Sequence, residues 1–235
     1  MSASKIEWTE ETWNPVTGCT QISSGCKNCY AKRMAKRLQS MGLKKYENGF
    51  KVTIHYDSLN EISHLKKPRM IFVCSMSDLF HEDVPEDFII SVFEIMNTHQ
   101  QHIFQVLTKR PDRVAKMNKK LKWTKNIWFG ITIEDNTNYD RLKYLKHISS
   151  SLKFLSCEPL LSSINDISLD DVDWVIVGGE SGPKCRVCKK EWVVEIQKKC
   201  EEKNIPFFFK QWGGTNKKKT GSLLNGKYYK EYPLK

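Results

Sequence analysis

Short apolar runs alternate along the chain with segments in which apolar residues recur every three or four positions. The short runs are rich in Val, Ile, Phe and Trp, a composition that predicts β-strands. Several are almost continuously apolar, which is typical of parallel strands covered on both faces of a sheet. The predicted strands are 15–20, 51–56, 69–75, 102–108, 126–132, 152–158, 173–179 and 206–212.

The segments between these strands have the spacing of amphipathic helices, and two of them begin with Pro, which suits a first helical turn. The predicted helices are 26–41, 85–99, 111–121, 136–148 and 190–203. Alternating strands and helices favour an α/β fold with a parallel sheet. About eight such βα units fit a TIM-type (βα) barrel, complete or partial, with parallel strands inside and helices outside.

No linker rich in Pro, Gly or Ser interrupts this pattern, so one domain is expected over residues 1–235. Residues 213–235 are expected to form a basic C-terminal extension of that domain. Within it, Asn225 and Gly226 indicate a tight turn, as in a small hairpin.

The net charge of the chain favours one class of binding partner. The chain carries 38 Lys and Arg against 27 Asp and Glu, a net charge of +11, and basic surfaces attract polyanions such as nucleic acids. No apolar run reaches the length of a membrane-spanning helix, and residues 1–15 lack the apolar core of a secretory signal. A cytoplasmic protein with no membrane partner is therefore the expectation.

Polar residues follow nearly every predicted strand. In parallel α/β folds the carboxyl ends of the strands form the functional face, so these residues predict a binding site there. Gly178 and Gly179 are suited to bringing backbone N–H groups close to a polar ligand. The strand-end candidates are Ser75, Ser77, Asp78, Thr108, Lys109, Glu134, Glu158, Gly178, Gly179 and Glu180.

Three of the eight cysteines, Cys19, Cys26 and Cys29, lie within eleven residues and follow the first predicted strand. Clustered thiols in a reducing compartment favour metal binding or catalysis over disulfides. A structural zinc site wants a fourth Cys or His at matching spacing, and the nearest histidine is His55. Three thiolates on a [4Fe–4S] cluster leave one iron open for substrate or cofactor, and the aromatic Tyr30 would shield one side of such a cluster.

This arrangement resembles the radical S-adenosylmethionine (SAM) superfamily, although the spacing here is C-x6-C-x2-C where C-x3-C-x2-C is common. The chain resembles more closely a phage-associated, largely uncharacterised family with the same three cysteines. The matching stretches span nearly the whole sequence: IEWTEETWNPVTGC (6–19), CKNCYA (26–31), SMSDLFH (75–81), LTKRP (107–111), SCEPLL (156–161), WVIVGGESG (174–182) and FFKQWGG (208–214).

The resemblance implies a cofactor set and a chemistry. Three cysteine thiolates hold a [4Fe–4S] cluster whose open iron binds SAM, and reductive cleavage of SAM yields a 5′-deoxyadenosyl radical that attacks a substrate. It implies an electron donor such as flavodoxin or ferredoxin. By analogy, SMSD (75–78) contacts the SAM amino group, and Glu134 and Glu158 hold its ribose or methionine end. The basic balance and phage association favour DNA, RNA or a nucleotide base as substrate.

Alternatives stay open at the level of sequence. One is a radical SAM enzyme that modifies a peptide or protein. Another is a non-catalytic nucleic-acid-binding protein whose cysteines hold zinc or a structural cluster. A second metal site is a further possibility, because C-x2-C pairs are common half-sites. Its candidate ligands are Cys157, Cys185, Cys188 and Cys200.

Overall fold

The computed structural model describes residues 2–4 and 6–233 and contains an eight-stranded sheet with a separate two-stranded ribbon. The sheet has the order β1-β2-β5-β6-β7-β8-β9-β10. Its last seven members run parallel and form a partial TIM-type barrel, whereas β1 pairs antiparallel at one edge. The strands are β1 (Ser2–Ala3), β2 (Glu11–Trp13), β3 (Val16–Thr17), β4 (Thr53–Ile54), β5 (Met70–Val73), β6 (Ile103–Thr108), β7 (Ile127–Thr132), β8 (Lys153–Cys157), β9 (Trp174–Gly178) and β10 (Phe207–Gln211).

Helices connect most of the parallel strands. The α-helices are α1 (Tyr30–Ser40), α2 (Glu86–Thr98), α3 (Pro111–Met117), α4 (Lys190–Glu202) and the short α5 (Lys217–Thr220). The 3₁₀ helices are Ser24–Cys26, Lys44–Tyr46, Tyr56–His64, Asn118–Lys120 and Asn136–His147. The predicted helix at 136–148 is thus a 3₁₀ helix. Across residues 2–4 and 6–233, no helix combines the length and the apolar character needed to cross a membrane.

The prediction of a barrel strand is wrong for two of the segments. Residues 15–20 and 51–56 contribute only β3 and β4, which pair antiparallel outside the main sheet. The first parallel strand is β2 instead, in the polar stretch TEETWN, where Trp13 alone supplies a large apolar side chain. The barrel therefore has seven parallel strands where about eight were predicted. No helix links β8 to β9 within the described residues 158–173.

Side chains alternate between two apolar layers along the strands, because successive residues of a strand point to opposite faces. One layer includes all the buried helix residues of α2 and α4, so it lies between the sheet and the outer helices. The other is a separate aromatic layer on the concave face: Trp8, Phe72, Trp128, Phe154, Trp174, Ile176 and Phe208. Gly130 is needed there, since a Cβ atom would lie 2.4 Å from the Phe154 ring.

The segment before β2 contacts the segment that follows β10, the last strand of the partial barrel. Lys230 Nζ lies 2.6 Å from a carboxylate oxygen of Glu7, and the Tyr232 hydroxyl donates to the Glu7 carbonyl at 3.1 Å. The Tyr232 ring also packs 5.3 Å from Trp174 in the aromatic layer. These contacts join the segment before β2 to the segment after β10, while the barrel itself stays open. Leu224 and Lys227 pair across the predicted Asn-Gly turn.

Candidate functional site at the mouth of the partial barrel

Cys19, Cys26 and Cys29 lie in one loop between β3 and α1, and all three thiols are free and half-buried. The 3₁₀ turn Ser24–Cys26 brings this loop against the end of β7. Gly25 permits that approach, because a Cβ atom there would lie 2.5 Å from Glu134 Oε1. We call residues 18–29 the cysteine loop.

Arg110 ties the first cysteine to the strand ends. Its Nη1 donates to the Cys19 sulfur at 3.7 Å and to Asp78 Oδ2 at 3.2 Å, and its Nη2 donates to the Thr20 hydroxyl at 2.9 Å. Burial and the Asp78 carboxylate raise the pKa of the Cys19 thiol to about 11, while Arg110 opposes them. Arg110 therefore supplies the positive charge that a Cys19 thiolate needs.

Asp78 was predicted to contact SAM, and in the structure its carboxylate is fully engaged by the protein. Its oxygens accept hydrogen bonds from the Thr108 hydroxyl at 2.7 Å, the Lys109 amide at 3.1 Å and the Phe80 amide at 3.0 Å, besides the Arg110 guanidinium. This geometry makes Asp78 and Thr108 supports for Arg110 at the end of β6.

Cys26 lies beside two groups that favour its thiolate. Burial alone would raise its pKa, but the Lys109 ammonium and the Ser23 hydroxyl, 3.5 Å from the sulfur, lower it below the ordinary value. Two of the three cysteines thus face a cation donated by the end of β6. Metal-bound cysteines are thiolates, and neighbouring cations favour that form.

Glu134 is completely buried at the mouth and joins three elements. Its carboxylate accepts from Lys109, from Ser23 of the cysteine loop and from Arg141 Nη1, the last at 2.7 Å. Burial would raise its pKa, but Lys109 and Arg141 hold it below the ordinary range. The ionised carboxylate is therefore the counter-charge for two cations, and it fixes the cysteine loop to β7.

Glu158 directly follows β8 and lies on the same face as Phe154 of the aromatic layer. Its Oε2 accepts from Lys210 Nζ at 2.6 Å and its Oε1 from the Trp8 indole at 3.1 Å. Gly178 keeps this space open, because a Cβ atom would lie 2.9 Å from Glu158 Oε2. The mouth thus holds a second carboxylate–lysine pair above the aromatic layer.

Glu180 connects the loop after β9 to the cysteine loop. It accepts three hydrogen bonds from the backbone and guanidinium of Arg186 and one from the Asn28 side chain at 3.0 Å. Burial would raise its pKa, but these donors lower it from the ordinary 4.5 to about 2. Gly179 lies tightly against β10, where its Cβ atom would be 1.9 Å from the Trp212 carbonyl oxygen.

The predicted serines after β5 form hydrogen bonds to the segment that precedes the cysteine loop. Ser77 Oγ donates to the Val16 carbonyl at 2.8 Å, and Ser75 Oγ donates to Asn14 Oδ1 at 3.2 Å. The Tyr30 hydroxyl donates to the Ser75 carbonyl, while the Tyr30 side chain remains half-exposed at the start of α1. These contacts join the loop after β5 to both sides of the cysteine loop.

The donor chemistry of the cysteine loop fits an iron–sulfur cluster. Three free thiols lie in one loop, and Arg110 and Lys109 offset the charge of two of them. Over residues 2–4 and 6–233, no three His, Cys, Asp or Glu side chains are placed to hold one metal ion. A [4Fe–4S] cluster requires a different ligand geometry from a single metal ion. Each thiolate binds a separate iron, so the three sulfurs need not converge on one point.

Three of the four remaining candidate cysteines have the surroundings of core residues. Cys157, Cys188 and Cys200 are buried among apolar side chains, whereas Cys185 is partly exposed. Burial raises the pKa of Cys157 well above its ordinary value and those of Cys188 and Cys200 to about 12. Such surroundings oppose the thiolate form that a second metal site requires.

Several residues of the mouth escaped the sequence-based prediction of cofactor contacts. Arg141, Arg186 and Asn28 each bind a predicted carboxylate, and Trp8 reaches Glu158 from the N-terminal segment. Arg110 carried a signal, because it follows Lys109 directly at a strand end. The others lie in helices or loops, where a single Arg or Asn is ordinary.

A partial (βα) barrel with a three-cysteine loop at its mouth defines the class of structure, and solved structures share the fold. Spore photoproduct lyase complexed with dinucleoside spore photoproduct is similar, with a TM-score of 0.52 and 11% identity over 86% of this chain and 63% of that one. Two mutants of that lyase give TM-scores of 0.52 and 0.51 at 12% and 10% identity, covering 75% and 86% of this chain and 57% and 63% of theirs. The chain spans less than two thirds of the length of these structures.

The sequence itself places the chain in a family. A family model described as a protein of unknown function (DUF5131) matches residues 3–233, and the chain belongs to this family. No curated protein matches the sequence.

Proposed function

We propose that the protein is a radical SAM enzyme that acts on a nucleic acid or nucleotide base. The observation that carries the proposal is the cysteine loop, whose three free thiols lie at the mouth of a partial barrel beside Arg110 and Lys109. The shared fold supports it, because spore photoproduct lyase is a radical SAM enzyme. That lyase was solved with a dinucleoside ligand, which supports a nucleic-acid substrate.

In this proposal Cys19, Cys26 and Cys29 hold a [4Fe–4S] cluster. When bound there, the cluster would supply one-electron chemistry for the reductive cleavage of SAM to a 5′-deoxyadenosyl radical, with a flavodoxin or ferredoxin as the electron donor. A radical of this kind has to be kept from water and from protein side chains until substrate is in place.

The residues of the mouth have corresponding tasks. Glu134 and Arg141 fix Lys109 beside Cys26, while Asp78 fixes Arg110 beside Cys19. Glu158 and Lys210 face the same interior and offer a carboxylate and an ammonium to the polar groups of SAM. The aromatic layer beneath them excludes water from the lower end of the barrel. Gly178 leaves room for a ligand beside Glu158.

The test starts with protein purified without oxygen and reconstituted with iron and sulfide. Dithionite and SAM are added, and 5′-deoxyadenosine is measured by mass spectrometry. We expect product from the wild type and from Cys74→Ala, whose buried thiol lies outside the cysteine loop. We expect none from the Cys19/Cys26/Cys29 triple alanine variant. A well-formed cluster without product, or zinc in place of iron, would contradict the proposal.

A further inference from the structure

A basic groove lies beside Cys29, between the first turns of α1 and the loop after β9. It has a volume of about 250 Å³. One wall is formed by Lys27 of the cysteine loop with Lys32, Arg33 and Lys36 of α1, and Lys184 stands on the other. No acidic side chain lines it.

The charges of this groove are uncompensated, unlike those of the mouth. Lys109, Lys210 and Arg186 are each paired with a carboxylate. Among the described residues, the five cations of the groove have no carboxylate within ion-pair distance. Helix α1 contributes to this excess because it has no acidic residue in its first turn. Glu180 is close by, but its carboxylate is already neutralised by Arg186.

The two walls are held together by hydrogen bonds. Asn28 donates to the Lys184 carbonyl at 3.0 Å, and Arg33 Nη2 donates to the Ser181 carbonyl at 3.0 Å. Gly182 has a φ of 108°, and a Cβ atom there would lie 2.3 Å from Arg33 Nη2. The glycine thus lets the loop approach α1, so that the groove is a built feature with cations on both walls.

We propose that this groove binds the phosphate backbone of a nucleic-acid strand and thereby places the substrate beside the cluster. This inference rests on the proposed function, because it names the substrate class of the same site. A narrow anionic strand can contact both walls at once, whereas an acidic protein presents a convex surface that reaches mainly the rim. Lys32 and Lys36 lie one helical turn apart, about 6 Å along the axis, so they can meet neighbouring phosphates.

The consequence for the reaction is positional. Cys29 lines the groove, and Asn28 joins it to Glu180 at the end of β9. A strand held in the groove therefore runs along the edge of the mouth, and one of its bases can turn out of the strand toward the barrel interior. Enzymes that modify bases commonly take the base out of its stack in this way.

The experiment measures binding of a fluorescein-labelled, 20-nucleotide single-stranded DNA to the reconstituted full chain by fluorescence anisotropy, over a series of KCl concentrations. The variant is Lys32→Ala with Lys36→Ala, since alanine preserves an exposed helix. The control is Lys146→Ala with Lys198→Ala, which removes the same charge from two exposed lysines outside the groove.

We expect the groove variant to bind roughly tenfold more weakly near 0.1 M salt, with the slope of log K against log [KCl] shallower by about 1.4. The control should keep most of the wild-type affinity and slope. Equal loss in both variants, or no binding by the wild type, would overturn the groove. So would a wild type that binds flavodoxin through Lys32 and Lys36 but not the DNA.

The readouts separate the two proposals. Wild-type protein that forms 5′-deoxyadenosine but binds DNA independently of Lys32 and Lys36 leaves the radical chemistry standing and refutes the groove. Protein that binds DNA through these lysines but never cleaves SAM supports the groove and refutes the radical chemistry.

Discussion

Arg110 donates one hydrogen bond to the Cys19 sulfur at 3.7 Å and another to Asp78 at 3.2 Å from the same nitrogen atom. Both charged residues are more than nine-tenths buried. The guanidinium thus transmits the position of Asp78, which is fixed by β6 and its following turn, to the first cysteine of the loop. The contact links the barrel scaffold to the candidate cluster site.

Arg110→Ala is expected to reduce the iron and sulfide retained after reconstitution to half of the wild-type value or less. The substitution frees Cys19 and Thr20 and leaves the buried Asp78 without its counter-charge, but Asp78 keeps three other donors, so the free energy of unfolding should fall by roughly 3 kcal/mol and the protein should still fold. Iron content and urea unfolding are measured on the same preparations. Arg69→Ala, which removes an exposed pair with Glu10, is the control. Full iron content in Arg110→Ala would show that Arg110 does not position Cys19.

Glu134→Gln is expected to lower the free energy of unfolding by roughly 3 kcal/mol, because it leaves Lys109 and Arg141 facing a neutral amide in a buried site. Ser23→Ala removes the loop's hydrogen bond to Glu134 and the weaker contact with the Cys26 sulfur but keeps the Glu134 charge, and it should cost about 0.5–1.5 kcal/mol. Urea unfolding of both variants checks the order. Equal costs would mean that the carboxylate charge contributes little.

The parallel strands after residue 69 could be predicted from sequence because most positions of each are buried and apolar. Strand β7 is buried along its entire length, and β9 likewise. The first strand of the barrel could not be predicted from the sequence, because β2 is three residues long and its place is set by pairing with β5. Pairing between distant segments leaves no periodicity in a strand so short.

The candidate site divides in the same way. The strand-end carboxylates could be predicted, because residues two apart on a strand share a face: Phe154 lies in the aromatic layer and Glu158 above it. The arginines that pair with these carboxylates could not be predicted, because Arg141 comes from a 3₁₀ helix and Arg186 from a loop. Only the folded structure shows that the Asp78 carboxylate accepts its hydrogen bonds from other groups of the protein.

Glu180→Gln should weaken the protein in a pH-dependent manner. The pKa of Glu180 is lowered from its ordinary 4.5 to about 2, so its stabilising effect is complete above pH 4.5 and is lost as the pH falls toward 2. Near pH 6 the variant should unfold with roughly 1–3 kcal/mol less free energy than the wild type.

The difference between the two unfolding free energies should shrink as the pH falls from 5.5 to 3.5, when urea unfolding is followed by circular dichroism. Glu191→Gln, an exposed carboxylate on α4, is the matched control and should show no such trend. A difference that stays constant over this pH range would show that the charge of Glu180 is not what stabilises the loop.

Gly25→Ala tests whether the cysteine loop has to lie against β7. The backbone of Gly25 does not need glycine for its φ angle, so the expected effect is steric: a methyl group would lie 2.5 Å from Glu134 Oε1 and 2.6 Å from its Cγ. Glu134 is held by Lys109 and Arg141 and cannot give way, so the loop must move outward and carry Cys26 with it. We expect a cost of roughly 1–3 kcal/mol in unfolding free energy and a loss of at least half of the bound iron.

Ser24→Ala, in the same turn, removes one exposed hydrogen bond to Asp135 and should leave iron content near the wild-type value. If Gly25→Ala binds iron as well as Ser24→Ala does, the cysteines hold their metal without the support of β7, and the contact between Gly25 and Glu134 serves the fold alone.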